Sequence, residues 1–497
     1  LLTFAPKSLV ILKTQDVYKI LCHALDIEPT EGQSRLLEKL SAFIAWPQPA
    51  VYILKGYAGT GKTTMISNIV RSVKLLKLKP VLLAPTGRAA KVMSSYSGKA
   101  ASTIHRKIYL AKRGNQGQIS FERNINLHKD TLFIVDEASM IGNEPGLSGG
   151  EFGDKSLLDD LMEYVFSGHN CKLILVGDTA QLPPVGLSIS PALDLDHIKY
   201  NYQKPSGQFE LTEVVRQAAE SGILFNATRL RLMIQQQNAG WPQFKAEGFE
   251  DIVRMDGADL EEEMQRAWKN YGDDNVILIS RSNKRANQFN AQIRNRLLWR
   301  ESDLEAGDRM MVVRNNYFWM KDIEESDGFI ANGETVEILK IKARHELHGF
   351  RFADVNLRMV DQPGAPTVDA RLILDAIDSE SPALSGDKMK MLYQSVSMDY
   401  SNESRNREAD SRSSNRYTVK EKIKADPCYN ALQVKFAYAI TCHKAQGGQW
   451  DAVFIDQGFL KEEMIDLEFL RWLYTALTRA KQKVFLVNFN EKFFEKE

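Results

Sequence analysis

Residues 51–76 read VYILKGYAGTGKTTMISNIVRSVKLL. An apolar run of strand character ends at Gly56, a glycine-rich turn follows, and from Met65 apolar residues return at helical spacing. Gly56-Tyr57-Ala58-Gly59-Thr60-Gly61-Lys62-Thr63 fills the pattern G-x-x-x-x-G-K-[ST] without a gap. Glycines there let backbone N–H groups turn inward around phosphate oxygens, and the helix N-terminus adds its partial positive charge. In this reading Gly56, Ala58, Gly59, Thr60, Gly61, Lys62, Thr63 and Thr64 cradle ATP. Lys62 neutralises the β- and γ-phosphates, and the Thr63 hydroxyl is a ligand of Mg²⁺. A glycine-rich turn without function is the plain alternative, and the strand–loop–helix context argues against it.

The same style repeats outward from this stretch. VLLAPT (81–86), TLFIVDEA (131–138) and KLILVGD (172–178) are short apolar runs that end in polar loops, with helix-compatible segments between them. Such alternation predicts a parallel sheet covered by helices, with functional loops at the C-terminal ends of the strands. VILISRS (276–282), FAYAIT (436–441), AVFIDQ (452–457) and KVFLVNF (483–489) predict a second α/β unit. An interruption over about 305–430 contains GDRMMVVRNNY, GETVEILKI and RFADVNLRMV, which alternate apolar and polar residues as a small antiparallel barrel or sheet does. SNESRNREADSRSSNR (401–416) is polar enough to predict a mobile loop. KIYLAKRGNQGQISFER (107–123) reads as a β-hairpin turning at Gly114–Gly117.

Composition narrows the class without choosing a function. The 497 residues are 43% hydrophobic and 26% charged, ordinary values for a globular protein of two to four domains. Sixty-four basic and sixty-four acidic residues cancel, so any nucleic-acid groove must be built from local cations. The four cysteines, Cys22, Cys171, Cys428 and Cys442, form no C-x-x-C pair, which disfavours structural zinc, iron–sulfur and disulfide frameworks. No apolar run approaches the ~18 residues of a membrane span. The opening LLTFAPKSLVILK lacks the marks of a signal peptide, so a cytoplasmic protein with a trimmed start is expected.

Two further loops carry chemistry. Asp136-Glu137 follows the run TLFIV, about 75 residues beyond the P-loop. There Asp136 can hold Mg²⁺ and Glu137 can polarise an attacking water. Gln181, in GDTAQLPPVG (177–186), can touch the γ-phosphate or its water, and the two prolines fix the exit of the chain.

Taken in order, these pieces resemble the superfamily-one helicases, and most closely the RecD/Dda-type branch, whose members translocate 5′→3′ on single-stranded DNA. GYAGTGKTT resembles motif I, APTGRAAK (84–91) motif Ia, STIH (102–105) Ib, VDEAS (135–139) II and GDTAQLPPVG III. LTEVVRQ (211–217) resembles motif IV, AITCHKAQGGQWD (439–451) V and YTALTRAK (474–481) VI. The resemblance implies an α/β fold of two RecA-like P-loop domains with ATP between them. A β-hairpin is inserted in the first domain and a small β-barrel in the second. The implied boundaries are an N-terminal extension over 1–28 and a first domain over 29–200 with the hairpin at 107–127. A second domain follows over 201–304 and 431–497, interrupted by the barrel over 305–430 with a mobile loop at 400–417. It also implies that Gln33 contacts adenine, that Gly448 approaches the nucleotide, and that Arg216 and Arg479 are arginine fingers. Gln449 departs from the acid often found after the motif V glycines, which bears on ribose recognition. IGNEPGLSGGEFGDKS (141–156) is glycine-rich and receives no role.

For nucleic acid, Thr86, Arg88, Lys91, Thr103, His105, Thr441 and His443 are the implied single-strand contacts. Helix capping by Thr86 and Ser102 is the structural alternative. Tyr109, Phe121, Tyr317, Phe318 and Trp319 could stack on bases or part a duplex, ordinary packing being the alternative. The expected partners are single-stranded DNA and duplex junctions, with replication or repair proteins, and the expected state is a monomer. An RNA helicase of the same superfamily, and a P-loop switch with vestigial hydrolysis, stand as alternatives. Cys442-His443 resembles a nucleophile with its base, but neighbours on an extended strand point to opposite faces. Cys442 is therefore expected to be a buried filler, and its segment a coupling element.

Overall fold

The computed structural model describes residues 13–113, 119–143, 156–215, 220–320, 330–360, 364, 366–408 and 419–495. The chain divides into two compact units. The first comprises residues up to Pro85, Met93–Ile108 and Arg123–Ala219, and the second Thr86–Val92, Tyr109–Glu122 and Glu220–Glu497.

The strands in chain order are β1 (Val51–Gly56), β2 (Lys79–Ala84), β3 (Ala101–Thr103), β4 (Tyr109–Arg113), β5 (Ile119–Arg123), β6 (Lys129–Val135), β7 (His169–Gly177) and β8 (Ser206–Leu211). The first unit's sheet has the order β3-β2-β6-β7-β1-β8. Each neighbouring pair in it is parallel. β4 and β5 pair as a separate two-stranded hairpin. Its turn, 114–118, and the Phe121 side chain fall outside the described residues.

Strand β1 is buried on both faces, as its near-continuous apolar sequence requires. Leu54 packs in one cluster with Leu36, Leu37 and Leu40 of the helix Glu31–Ala45 and with Met65, Ile66 and Ile69 of the helix Lys62–Leu75. The helix Thr14–His23 joins that core through Val17 and Leu21, and the Asn68 amide donates to the Leu21 carbonyl at 3.0 Å. This part of the predicted extension is thus integral to the first unit's core.

The second unit contains β9 (Ile252–Met255), β10 (Val276–Ser280), β11 (Arg309–Val312), β12 (Thr335–Leu347), β13 (Phe350–Met359), β14 (Val368–Ile373), β15 (Leu432–Phe436), β16 (Ala439–Thr441), β17 (Trp450–Asp456) and β18 (Ala480–Val487). A parallel sheet of order β16-β10-β17-β18-β9 and a closed barrel β11-β12-β13-β14-β15 make it up. FAYAIT, read above as one strand, is therefore divided: its first residue closes the barrel in β15, and 439–441 enter the sheet as β16.

Asn290 holds that division. Its side-chain amide donates to the carbonyls of Phe436 (3.2 Å) and Ala439 (2.8 Å), while its oxygen accepts from the N–H groups of Tyr438 (3.1 Å) and Ala439 (2.8 Å). One side chain so satisfies the backbone groups that neither sheet can pair.

The polar segment 401–416 corrects the loop reading in part. Residues 401–408 continue a 23-residue helix, Gly386–Glu408, and 409–418 lie outside the described residues. No glycine or proline follows Gly386 within it, and Leu392 and Val396 anchor its first half beside Phe350 and Phe352 of the barrel. Local polarity was outweighed by that anchorage and by an uninterrupted helix-permissive run.

Replacing Asn290 by alanine leaves four backbone groups, three of them buried, short of a partner. We expect a loss of about 3 kcal/mol or more in unfolding free energy, read from urea denaturation of the variant against wild type.

Candidate nucleotide and nucleic-acid site

Because all the strands of the first sheet run the same way, their following loops gather at one edge. Register places Lys55 of β1 opposite Gly177 of β7, and Val135 of β6 opposite Leu175 of β7. The P-loop, the Asp178 loop and the Asp136 loop therefore leave neighbouring strands side by side.

The P-loop has the backbone its sequence demands. Gly59 and Gly61 take φ of +74° and +85°, a region closed to most side chains. A Cβ on Gly61 would lie 2.4 Å from Gln33 Nε2, and one on Gly56 2.9 Å from Lys62 Cγ. Gly61 ends the loop and the helix begins at Lys62, so Ala58 lies within the turn and Thr63 and Thr64 occupy the first helical turn. Lys62 Nζ donates to the carbonyls of Gly56 (2.6 Å) and Tyr57 (2.9 Å), and stands 3.8 Å from the Asp178 carboxylate. The ammonium is thus held over the loop.

Gln33, the residue expected at adenine, lies against this loop. Its oxygen accepts from Thr30 N–H at 3.1 Å in a capping box, and its amide donates to the Thr60 carbonyl at 3.3 Å. It splints the P-loop to the start of the helix Glu31–Ala45.

Asp136 stands just past β6. One carboxylate oxygen accepts from Glu137 N–H at 2.8 Å and the other from the Tyr96 hydroxyl at 2.6 Å. Burial, and then the Asp136 charge, push the Tyr96 hydroxyl pKa far up, so it stays a donor. Glu137 adopts φ +53°, a left-handed conformation for a non-glycine residue at the point where the motif turns. Asp178 is buried and accepts from Ala180 N–H at 2.9 Å, and Gln181 is buried beside it.

These residues fit a magnesium nucleotide. Hydroxyl and carboxylate oxygens are the hard donors Mg²⁺ prefers, and such sites use one or two carboxylates together with substrate phosphates. Among the described residues no group of three or more His, Cys, Asp or Glu side chains converges as a metal cage.

Several supports escaped the sequence reading. The Tyr57 hydroxyl donates to Glu210 at 2.6 Å, Val215 N–H donates to the Gly59 carbonyl at 3.0 Å, and Glu213 accepts from Gly32 N–H at 3.1 Å. The Gly32 bond, then Thr30, holds the Glu213 carboxyl below its ordinary range. Segment 210–215 thus bonds to the P-loop at Tyr57 and Gly59 and to the helix Glu31–Ala45 at Gly32. Arg216 falls outside the described residues.

The nucleic-acid candidates fare unequally. In the first unit, Thr103 Oγ1 accepts from Arg106 N–H at 3.2 Å, capping the turn Ile104–Ile108. His105 is half-buried, and desolvation lowers its imidazole from 6.5 to about 4. At neutral pH it can donate a hydrogen bond but brings no charge to a phosphate.

In the second unit, Thr86 Oγ1 accepts from Ala89 N–H at 3.2 Å, the capping alternative. The Arg88 guanidinium stacks on the Trp450 ring at 3.9 Å, and Lys91 Nζ donates to the Val360 carbonyl at 3.2 Å. A Cβ on Gly447 would meet Ala89 at 2.8 Å, and one on Gly448 would meet Trp450 at 2.5 Å. Packing alone therefore asks for both glycines. Arg479 is buried and donates to the carbonyls of Thr475 (3.1 Å) and Gly448 (3.3 Å), which joins motifs V and VI within one unit.

The premise used for Cys442-His443 does not hold: Cys442–Ala445 is a helical turn that follows β16, with Thr441 at its start. The conclusion survives on other grounds. Cys442 is buried against the Trp472 carbonyl (3.4 Å) and burial drives its pKa far up, whereas His443 is exposed. Trp319 donates to the Asn430 carbonyl at 2.8 Å and packs on the barrel core, the packing alternative.

The first unit thus carries a P-loop on a parallel sheet, with Asp178 just past the adjacent strand β7 and Asp136 just past β6, the strand beyond it. Residues 30–232 match the family model described as an AAA domain, and residues 436–487 match the UvrD-like helicase C-terminal domain. The chain is 33% identical over 196 residues to the ATP-dependent RecD2 DNA helicase of Deinococcus radiodurans, covering 39% of this chain and 23% of that protein. It is 31% identical over 194 residues to the ATP-dependent DNA helicase dda of Enterobacteria phage T4, covering 38% of this chain and 40% of that one. A Pif1 helicase from Bacteroides, solved with ADP-AlF3 and ssDNA, overlaps at a TM-score of 0.46 with 16% identity, over 95% of each chain. Over these segments the chain is similar to RecD2 and Dda, two ATP-dependent DNA helicases. It spans less than half the length of either of those two curated relatives. Among the described residues no helix is long and apolar enough to cross a membrane.

His105 yields a test by pH. Its imidazole is depressed in the fold, so the stability tied to the neutral ring is present above about 6.5 and is lost as pH falls toward about 4. Urea midpoints at pH 7.5 and pH 5 should fall further apart in wild type than in His105→Gln.

Proposed function

We propose that this protein is an ATP-dependent DNA helicase that moves 5′→3′ along single-stranded DNA as a monomer and opens duplex ahead of it. The observation that carries the reading is Lys62, held over a left-handed glycine loop 3.8 Å from Asp178, on the sheet edge that also presents Asp136. That arrangement suits a triphosphate, and the matched helicase C-terminal segment supports the coupling of its hydrolysis to movement. The direction follows the resemblance to the RecD/Dda branch.

In this proposal the loop N–H groups and Lys62 bind the β- and γ-phosphates, and Gln33 keeps the loop in shape. Magnesium, when bound with the nucleotide, neutralises phosphate charge, with Thr63 and Asp136 as its protein oxygens. Glu137 takes the proton of the attacking water, and Gln181 orients that water. Arg479 and Arg216 reach the γ-phosphate when ATP is bound. For Arg479 this means exchanging the Gly448 and Thr475 carbonyls for phosphate oxygens, so that the motif V turn feels the state of the nucleotide. Thr86, Arg88, Lys91, Thr103, His105, Thr441 and His443 meet the single strand, with His105 as a neutral donor.

ATP hydrolysis by the purified protein, with and without oligonucleotides, tests this. Single-stranded DNA should stimulate turnover, and Lys62→Ala should lower it on the order of 100-fold. Indifference to DNA would sink the motor reading, and equal or greater stimulation by RNA would move the substrate to that polymer.

A further inference from the structure

Tyr96 carries a role that the sequence motifs do not. It lies in the last turn of the helix Gly87–Ser97, in the stretch of that helix that belongs to the first unit. Its hydroxyl donates to Asp136 Oδ2 at 2.6 Å, a short charge-assisted bond. The Tyr96 carbonyl and the Thr63 carbonyl each lie 2.9 Å from Ser67 Oγ. Ser67 sits one turn beyond Thr63 on the P-loop helix. Tyr96 therefore ties the Asp136 carboxylate to the P-loop helix that carries Thr63, the Ser67 hydroxyl giving its one proton to the Tyr96 carbonyl or to the Thr63 carbonyl.

We infer that Tyr96 is a positioning residue for the divalent cation of the nucleotide, fixing the rotation of the Asp136 carboxylate relative to the P-loop helix. This rests on the nucleotide-binding reading above. A carboxylate held only by Glu137 N–H can still turn about its Cβ–Cγ bond. A second donor on the other oxygen stops that rotation and leaves further lone pairs on both oxygens for the cation or its water. Partners of this kind, one bond removed from a metal, orient ligands that would otherwise sample several rotamers.

Tyr96→Phe removes the hydroxyl and keeps the ring. Binding of a fluorescent ATP analogue is measured in EDTA and then across a magnesium titration, together with thermal unfolding in EDTA. The variant should need about tenfold more Mg²⁺ for half-maximal enhancement of binding. Its affinity in EDTA should match wild type, which separates positioning from a general loss of structure. Ser67→Ala, which loosens the tether of Tyr96 without touching Asp136, should raise the Mg²⁺ requirement by a smaller factor, and carries the test should Tyr96→Phe fold poorly. An unchanged requirement in both variants would overturn the inference. So would a lowered one, which would mean that the hydroxyl competes with the cation. Wild type showing no magnesium-dependent nucleotide binding would overturn the nucleotide reading itself, and the wild-type titration alone reveals that case.

Discussion

A parallel sheet brings every loop that follows a strand to the same edge, and the functional part of this molecule depends on that constraint. With β1 between β7 and β8, and β6 on the far side of β7, the P-loop, Asp178 and Asp136 are neighbours although more than a hundred residues separate the first from the second. The central strands can be parallel only because helices cover both faces, which is why β1 reads as an unbroken apolar run. The chemistry sits where the backbone has finished pairing and its N–H groups are free to turn toward a ligand.

Around that edge the chain spends side chains on shape as well as on chemistry. Gln33 and Val215 bond to P-loop carbonyls, Glu210 bonds to Tyr57, and Tyr96 bonds to Asp136. Each bond restrains a group that would meet the proposed triphosphate in one geometry, and orientation of this kind lowers the entropy lost when a ligand arrives. In the second unit the same principle joins motif V to motif VI, where Arg479 reads the carbonyl of Gly448. Asn290 ties the barrel strand β15 to the sheet strand β16.

Residues whose identity follows from backbone geometry were legible in the sequence. Gly59 and Gly61 take the positive φ that the motif predicts, and the alternating strands of the insertion close as a barrel. What stayed hidden depends on long-range packing. Nothing local distinguishes Tyr96 from any helical tyrosine, since Asp136 is 40 residues away. FAYAIT is too short to show that it serves two sheets, and a polar composition at 401–408 does not reveal the helix that enters it from Leu392 and Val396. The neutral state of His105 was hidden for a similar reason, because its desolvation comes from the fold around it rather than from its neighbours in sequence.

The central claim, a motor that tracks one strand in one direction, is tested most directly by ATP-dependent unwinding of partial duplexes carrying a single-stranded tail at either end. Strand separation should occur with a 5′ tail and be lost with a 3′ tail or a blunt duplex. Unwinding that requires a 3′ tail would contradict the account.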